Sequence, residues 1–195
     1  MRQETNVKQS TLRLAQTGMM IAMLVTFQYL TGLFGNQFVT GSVVNLVLIL
    51  TVMLFGLYSG VAVAAISPWF AFILPIAIGP GRWELIPLIS LGNVAMVVIW
   101  HFICKIKVNP EIIPQVIALV AGAVAKYLII YLGQVYFIIP HIILPSLDAP
   151  AGVIPPPIQT MMHAMSYPQL ITATIGGVIA IGLIPILKMA LKKSH

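Results

Sequence analysis

The chain has 195 residues, 59 % of them hydrophobic and only 7 % charged, with a mean hydropathy of +1.03. That balance excludes a soluble globular domain. The net charge of +6 comes from basic residues flanking apolar runs, without the aromatic platforms of a nucleic-acid surface, so no nucleic-acid partner is expected. A single cysteine, Cys104, excludes an internal disulfide and a thiol pair for a metal.

At roughly 20 residues per crossing, the length suits an all-α integral membrane bundle of six transmembrane helices in one domain, residues 1–195. Residues 1–11 are polar and include Arg2 and Lys8, leaving no room for a separate soluble domain before the first apolar run. That run, residues 12–33, is long and lacks a small-x-small cleavage site behind it, so it is expected to be retained as a helix. Ala15, Gly18 and Ala22 put small residues on one side of it, a spacing that lets helices approach closely.

Gly35 to Ser42 reads as a short polar loop, and the second helix is expected over residues 43–58, with Asn45 near its start. Gly56-Leu57-Tyr58-Ser59-Gly60 has the letters of GxxxG but falls where two apolar runs must be joined, which predicts a tight turn. The third helix, residues 60–78, contains Ser67-Pro68-Trp69 and then Pro75, so its hydrogen-bond ladder must be interrupted. Broken membrane helices often line binding sites; a packing kink is the plainer alternative.

Gly79-Pro80-Gly81-Arg82-Trp83-Glu84 reads as a turn, and the fourth helix follows over residues 85–104. Asn93 lies inside it, and Trp100-His101 near its end suggests an interfacial belt. The fifth span, residues 112–137, holds one charge, Lys126. A lysine near the middle of a membrane helix costs about 2.5–3.5 kcal/mol on insertion scales and usually faces a bundle interior or polar cavity. Helical spacing puts Lys126 on a face with Gly122, Ala123, Gly133 and Gln134, beside a stripe of Tyr127, Tyr131 and Gln134. Lys126 is therefore expected to anchor a ligand, the alternative being a lysine that snorkels or pairs with a carbonyl.

Residues 138–167 contain Pro140, Pro145, Pro150 and Pro155-Pro156-Pro157 and read as a long cap or lid. Its polar candidates are His141, Asp148, His163 and Tyr167, and Met161, Met162 and Met165 surround His163. That cluster suits ordinary loop roles first, and less readily the axial ligation of a metal macrocycle. The last helix, residues 168–187, carries Ala173, Gly176, Gly177 and Ala180 for close packing.

Six spans would put both termini on one side, with Arg2, Lys8, Arg13, Lys105, Lys107, Lys188, Lys192 and Lys193 there and Arg82 alone opposite. The positive-inside rule then makes the termini cytoplasmic. No Walker A, HExxH or nucleophile-elbow pattern occurs, so no catalytic residue, cofactor or resident metal is assigned and the chain is not read as an enzyme.

On size, six spans, cytoplasmic termini, small residues on the first helix and outward loops, the whole chain resembles the substrate-binding S components of energy-coupling factor (ECF) transporters. That family's AxxxA motif corresponds to Gly18-Met19-Met20-Ile21-Ala22, with Gly in place of the first Ala. The resemblance implies a prokaryotic plasma-membrane protein that captures a vitamin-like small molecule from outside. It would then dock on a transmembrane coupling subunit and topple, driven by two cytoplasmic ATPase subunits. On that reading Lys126, Tyr127, Tyr131 and Gln134 form the pocket wall, and Asn36, Gln37, Arg82, Trp83 and His163 the lid-side contacts. Ala15, Gly18 and Ala22 form the docking face.

Lys126 and Arg82 favour an acidic vitamin or precursor by charge pairing. A tetrapyrrole such as haem or cobalamin ranks second, and an uncharged pyridoxine-like vitamin remains compatible. Two other classes stay open: a small membrane enzyme on a lipid-like substrate, using Arg82, Glu84, His141, Asp148 and His163, and a ligand-free assembly subunit.

Overall fold

A chain this apolar must satisfy its backbone hydrogen bonds within each segment, which favours helices throughout. The computed structural model describes residues 2–74, 81–147 and 153–193, and these are helical, with no strand among them. The helices are α1 (Arg2–Gly32), α2 (Gln37–Phe55), α3 (Leu57–Ile73), α4 (Ile86–Ile103), α5 (Ile112–Ile130), α6 (Pro156–Ala164) and α7 (Tyr167–Lys193). Four helical stretches, Gln37–Phe55, Trp83–Ile103, Ile112–Ser146 and Pro156–Lys192, are long and apolar enough to cross a membrane. The apolar α3 is shorter, at 17 residues.

Several ends differ from the sequence expectation, each for a local reason. The segment expected as a loop up to Ser42 is already helical from Gln37, because the Asn36 side chain accepts the Phe38 N–H at 2.9 Å and caps α2. The α2–α3 turn shrinks to Gly56, whose φ of +89° suits a residue without a side chain. Helix α3 continues past Pro68, which takes one hydrogen bond out of its ladder as expected, while Pro75 and residues 76–80 lie outside the described residues.

The largest correction concerns residues 138–167. Helix α5 continues as a π-helical stretch over Tyr131–Ile143 and a 3-10 turn over Leu144–Ser146, and α6 begins at the proline run. Proline is tolerated in a first helical turn because its missing N–H would have no intrahelical partner there. Leu85, Ile139, Ile143 and Ile158 form a small apolar cluster in which the π-helical stretch and α6 pack over the start of α4.

The main core closes a ring in which α2 packs on α1, α3, α4 and α7, while α5 lies between α4 and α7. Trp100, placed at an interface by the sequence, is fully buried. Gly122 of α5 and Gly177 of α7 leave the room its ring fills. Gly176 brings α7 onto α2 so closely that a Cβ there would stand 2.5 Å from the Ser42 carbonyl oxygen and 2.8 Å from the Leu46 nitrogen. Backbone cannot yield as a side chain can. Gly176→Leu is therefore expected to destabilise the fold by about 1–3 kcal/mol or more. Gly182→Leu, where a Cβ would meet nothing, should stay within about 0.5 kcal/mol. Thermal unfolding of the two variants in one detergent checks the difference.

Candidate functional site

Amides, hydroxyls and an amine are costly inside an apolar bundle unless they pair, so their pairing identifies the site. Gln28 of α1, Thr40 of α2, Ser67 of α3, Asn93 of α4, Lys126 of α5 and Gln169 of α7 are all buried and line one cavity of about 100 Å³. Gln37, Pro68 and Met165 complete much of its wall.

Lys126 is 3 % exposed, and its Nζ donates to Asn45 Oδ1 at 2.5 Å. Behind that contact the Asn45 amide nitrogen donates to Thr172 Oγ1 at 3.3 Å, and the Thr172 hydroxyl donates to the Gln169 carbonyl at 3.2 Å. Gly41 makes the approach possible, since a Cβ there would come within 2.9 Å of the Thr172 methyl. Among the described residues the only ion pair is Arg82–Glu84, so the Lys126 amine is held by a neutral oxygen.

Another part of the lining is built around Pro68. Lacking an N–H, it leaves the Ala64 carbonyl without its usual helical donor, and the Ser67 hydroxyl turns back to that oxygen at 3.5 Å. Ser67 Oγ then accepts from the Asn93 amide nitrogen at 3.0 Å. The Ser67 carbonyl accepts from the Gln28 amide nitrogen at 3.2 Å. Both nitrogens are used, and Gln28 Oε1 and Asn93 Oδ1 have no hydrogen-bond partner among the described residues. Neither has Thr40 Oγ1.

Of the residues expected on the substrate side, Lys126 and Gln37 line this cavity. The Gln37 amide nitrogen donates to the Ala164 carbonyl at 2.7 Å, an oxygen that also receives Gln169 at 3.1 Å, so α2 and α7 hold the end of α6. Gln134 is buried higher along α5 and donates to the Leu85 carbonyl at 2.8 Å. Tyr127 and Tyr131 stack with centroids 5.2 Å apart, and Tyr131 meets Tyr136 edge-on; none of the three lines the cavity.

Asn36 is spent as the α2 cap, and Arg82 pairs with Glu84 at 2.9 Å and reaches Ser146 Oγ at 3.2 Å. Trp83 is 62 % exposed, and His163 is exposed with its ring edge-on to Tyr167. Met161 and Met162 pack against the cluster under α6, and only Met165 reaches the cavity. His141 shares a hydrogen bond with the Phe137 carbonyl at 3.0 Å, and Asp148 lies outside the described residues. No group of three His, Cys, Asp or Glu among the described residues stands close enough to hold a metal ion. On α1, Ala15, Gly18 and Ala22 are all exposed.

The sequence reading missed Gln28, Thr40, Asn93 and Gln169 as wall residues. Their signal was present, because each is an uncharged polar residue in or at the start of an apolar helical run, as Lys126 is a charged one. No protein family, curated protein or solved structure matched the chain.

The Lys126–Asn45 contact generates a thermodynamic test. Asn45→Leu leaves the amine buried without its acceptor and is expected to destabilise by about 1–3 kcal/mol. Adding Lys126→Met should return part of that loss, so the double-mutant cycle in thermal unfolding gives a coupling of at least about 0.5 kcal/mol.

Proposed function

We propose that this protein is the substrate-binding membrane subunit of an ECF-type uptake transporter for a small micronutrient. The observation that carries this reading is the polar cavity, whose lining brings together one amine and three unpartnered oxygens, of Gln28, Thr40 and Asn93. Buried polar atoms without a partner also occur singly elsewhere, at Ser42, Trp100 and Gln134, but among the described residues only here do several share a space that a ligand could enter and satisfy. On this reading α1 and α3 also cross the membrane, completing six spans.

Charge distribution supports the orientation. Arg13 and Lys105 share a crevice beside the α2–α3 junction, and Lys107 and Lys188 share another next to Met53 and Cys104. The cavity lies toward the other end, where α1 ends and α2 begins. By the positive-inside rule the basic end is cytoplasmic and the cavity opens toward the outside. Its volume of about 100 Å³ favours a small ligand over a tetrapyrrole, since pockets for drug-sized molecules already measure roughly 300–1,000 Å³. Exposure of Ala15, Gly18 and Ala22 supports docking of α1 on a coupling subunit, which brings two ATPase subunits to power release.

Two experiments test the reading. Protein purified from cells grown in rich medium should carry a small molecule identifiable by mass spectrometry, and Lys126→Ala should weaken its rebinding at least about tenfold while the protein still folds. An empty preparation that binds nothing from a vitamin panel overturns the reading. Separately, Gly18→Leu with Ala22→Leu should abolish uptake in cells expressing the coupling module while leaving ligand affinity unchanged. A Cβ at Gly18 meets nothing within the chain, so damage there reports on a partner. Intact uptake places docking elsewhere.

A further inference from the structure

Resting on the binding-subunit reading, the polarity of the cavity goes further and restricts the chemistry of the ligand. We infer that it takes a molecule of about single-ring size bearing both an anionic or strongly accepting oxygen group and at least two O–H or N–H donors.

The donor requirement follows from Pro68. Because the Ser67 hydroxyl is committed to the Ala64 carbonyl, its oxygen can only accept from Asn93, and that bond fixes which end of the Asn93 amide faces away. Rotating the amide would draw the Ser67 hydrogen away from the Ala64 carbonyl and leave that oxygen without a donor. Gln28 is fixed in the same sense, since its partner is the Ser67 carbonyl, which can only accept. Two helices therefore present carbonyl oxygens, Gln28 Oε1 and Asn93 Oδ1, that are buried at 3 % and 2 % exposure and unpartnered. A ligand that offered only acceptors to this wall would leave four oxygens facing one another.

At Lys126 the polarity is opposite. Thr172 donates to the Gln169 carbonyl and so accepts from the Asn45 nitrogen, which turns Asn45 Oδ1 toward Lys126. That single neutral acceptor occupies one of the three hydrogens of an ammonium, and the rest are available to a ligand oxygen. With no carboxylate paired to Lys126 among the described residues, an anionic or strongly accepting ligand oxygen meets no competing carboxylate at the amine. Size follows from comparison with a dry cavity of about 150 Å³, which holds benzene; the cavity of about 100 Å³ is smaller but partly open, so a ligand of one ring would fill it and extend into its mouth.

Three matched probes test this on the full chain in lipid nanodiscs by calorimetry. 4-Amino-3-hydroxybenzoate has both groups, benzoate has the acid without the donors, and 2-aminophenol has the donors without the acid. The bifunctional probe should bind at least about tenfold tighter than either fragment. Asn93→Leu and Gln28→Leu should each shrink its advantage over benzoate, and Lys126→Met its advantage over 2-aminophenol. The ranking on the unmodified protein stands even if a variant fails to fold. A ranking led by benzoate or by 2-aminophenol overturns the inference, and so does absence of binding by all three. The binding-subunit reading survives either result if a small molecule co-purifies, and falls only if the preparation and the vitamin panel are both empty.

Discussion

One contact organises the bundle: the Lys126 amine on the Asn45 carbonyl oxygen, beside a core of Leu, Ile, Val, Met, Ala and Trp100. A buried amine is costly without at least one acceptor, so α5 stands where α2 can offer one. That acceptor is oriented in turn by Thr172 of α7. The arrangement holds only while α2 and α7 lie nearly backbone to backbone, which is what Gly41 and Gly176 permit. Small residues that look like generic membrane packing thus carry the geometry of a polar relay.

Another part of the lining shows how one absent hydrogen propagates. Pro68 removes a donor from α3, Ser67 fills the gap, and the direction of the Asn93 bond follows, while the Ser67 carbonyl sets the direction of the Gln28 bond by itself. Amide oxygens from α1 and α4 are left facing the cavity that the Lys126 amine also lines. The lining amides are held by a backbone carbonyl and a hydroxyl, which orients them before a ligand enters. The rim is held in the same manner. Ala164 sits at the end of α6, where helical carbonyls lack partners, and both Gln37 and Gln169 donate to it.

Against this frame, particular residues show how much was legible in the sequence. The apolar runs predicted α4 within a residue or two of its observed ends, and located α2, α3, α5 and α7, because a membrane-length stretch of apolar residues has few other options. Lys126 stood out as a site residue for the same reason. The loop over residues 138–167 was misread because prolines suggest breaks, whereas Pro156 and Pro157 fall in a first turn and Pro140 sits in a π-helical stretch. Trp100 was taken for an interfacial ring because aromatic belts are common; the glycines that bury it come from helices distant in sequence.

What the sequence alone determined was the solvent the chain is built for, the helical class, and the fact that one lysine needs a partner. Those follow from composition and from the cost of burying charge, which are properties of single segments. Only tertiary structure decided which partner it is, that Gln134 turns to Leu85 and the tyrosines stack apart from the cavity, and that Gln28 and Asn93 face the space beside Lys126. Direction across a cavity is a relation among helices far apart in the chain, and the spacing of residues along any one helix does not contain it.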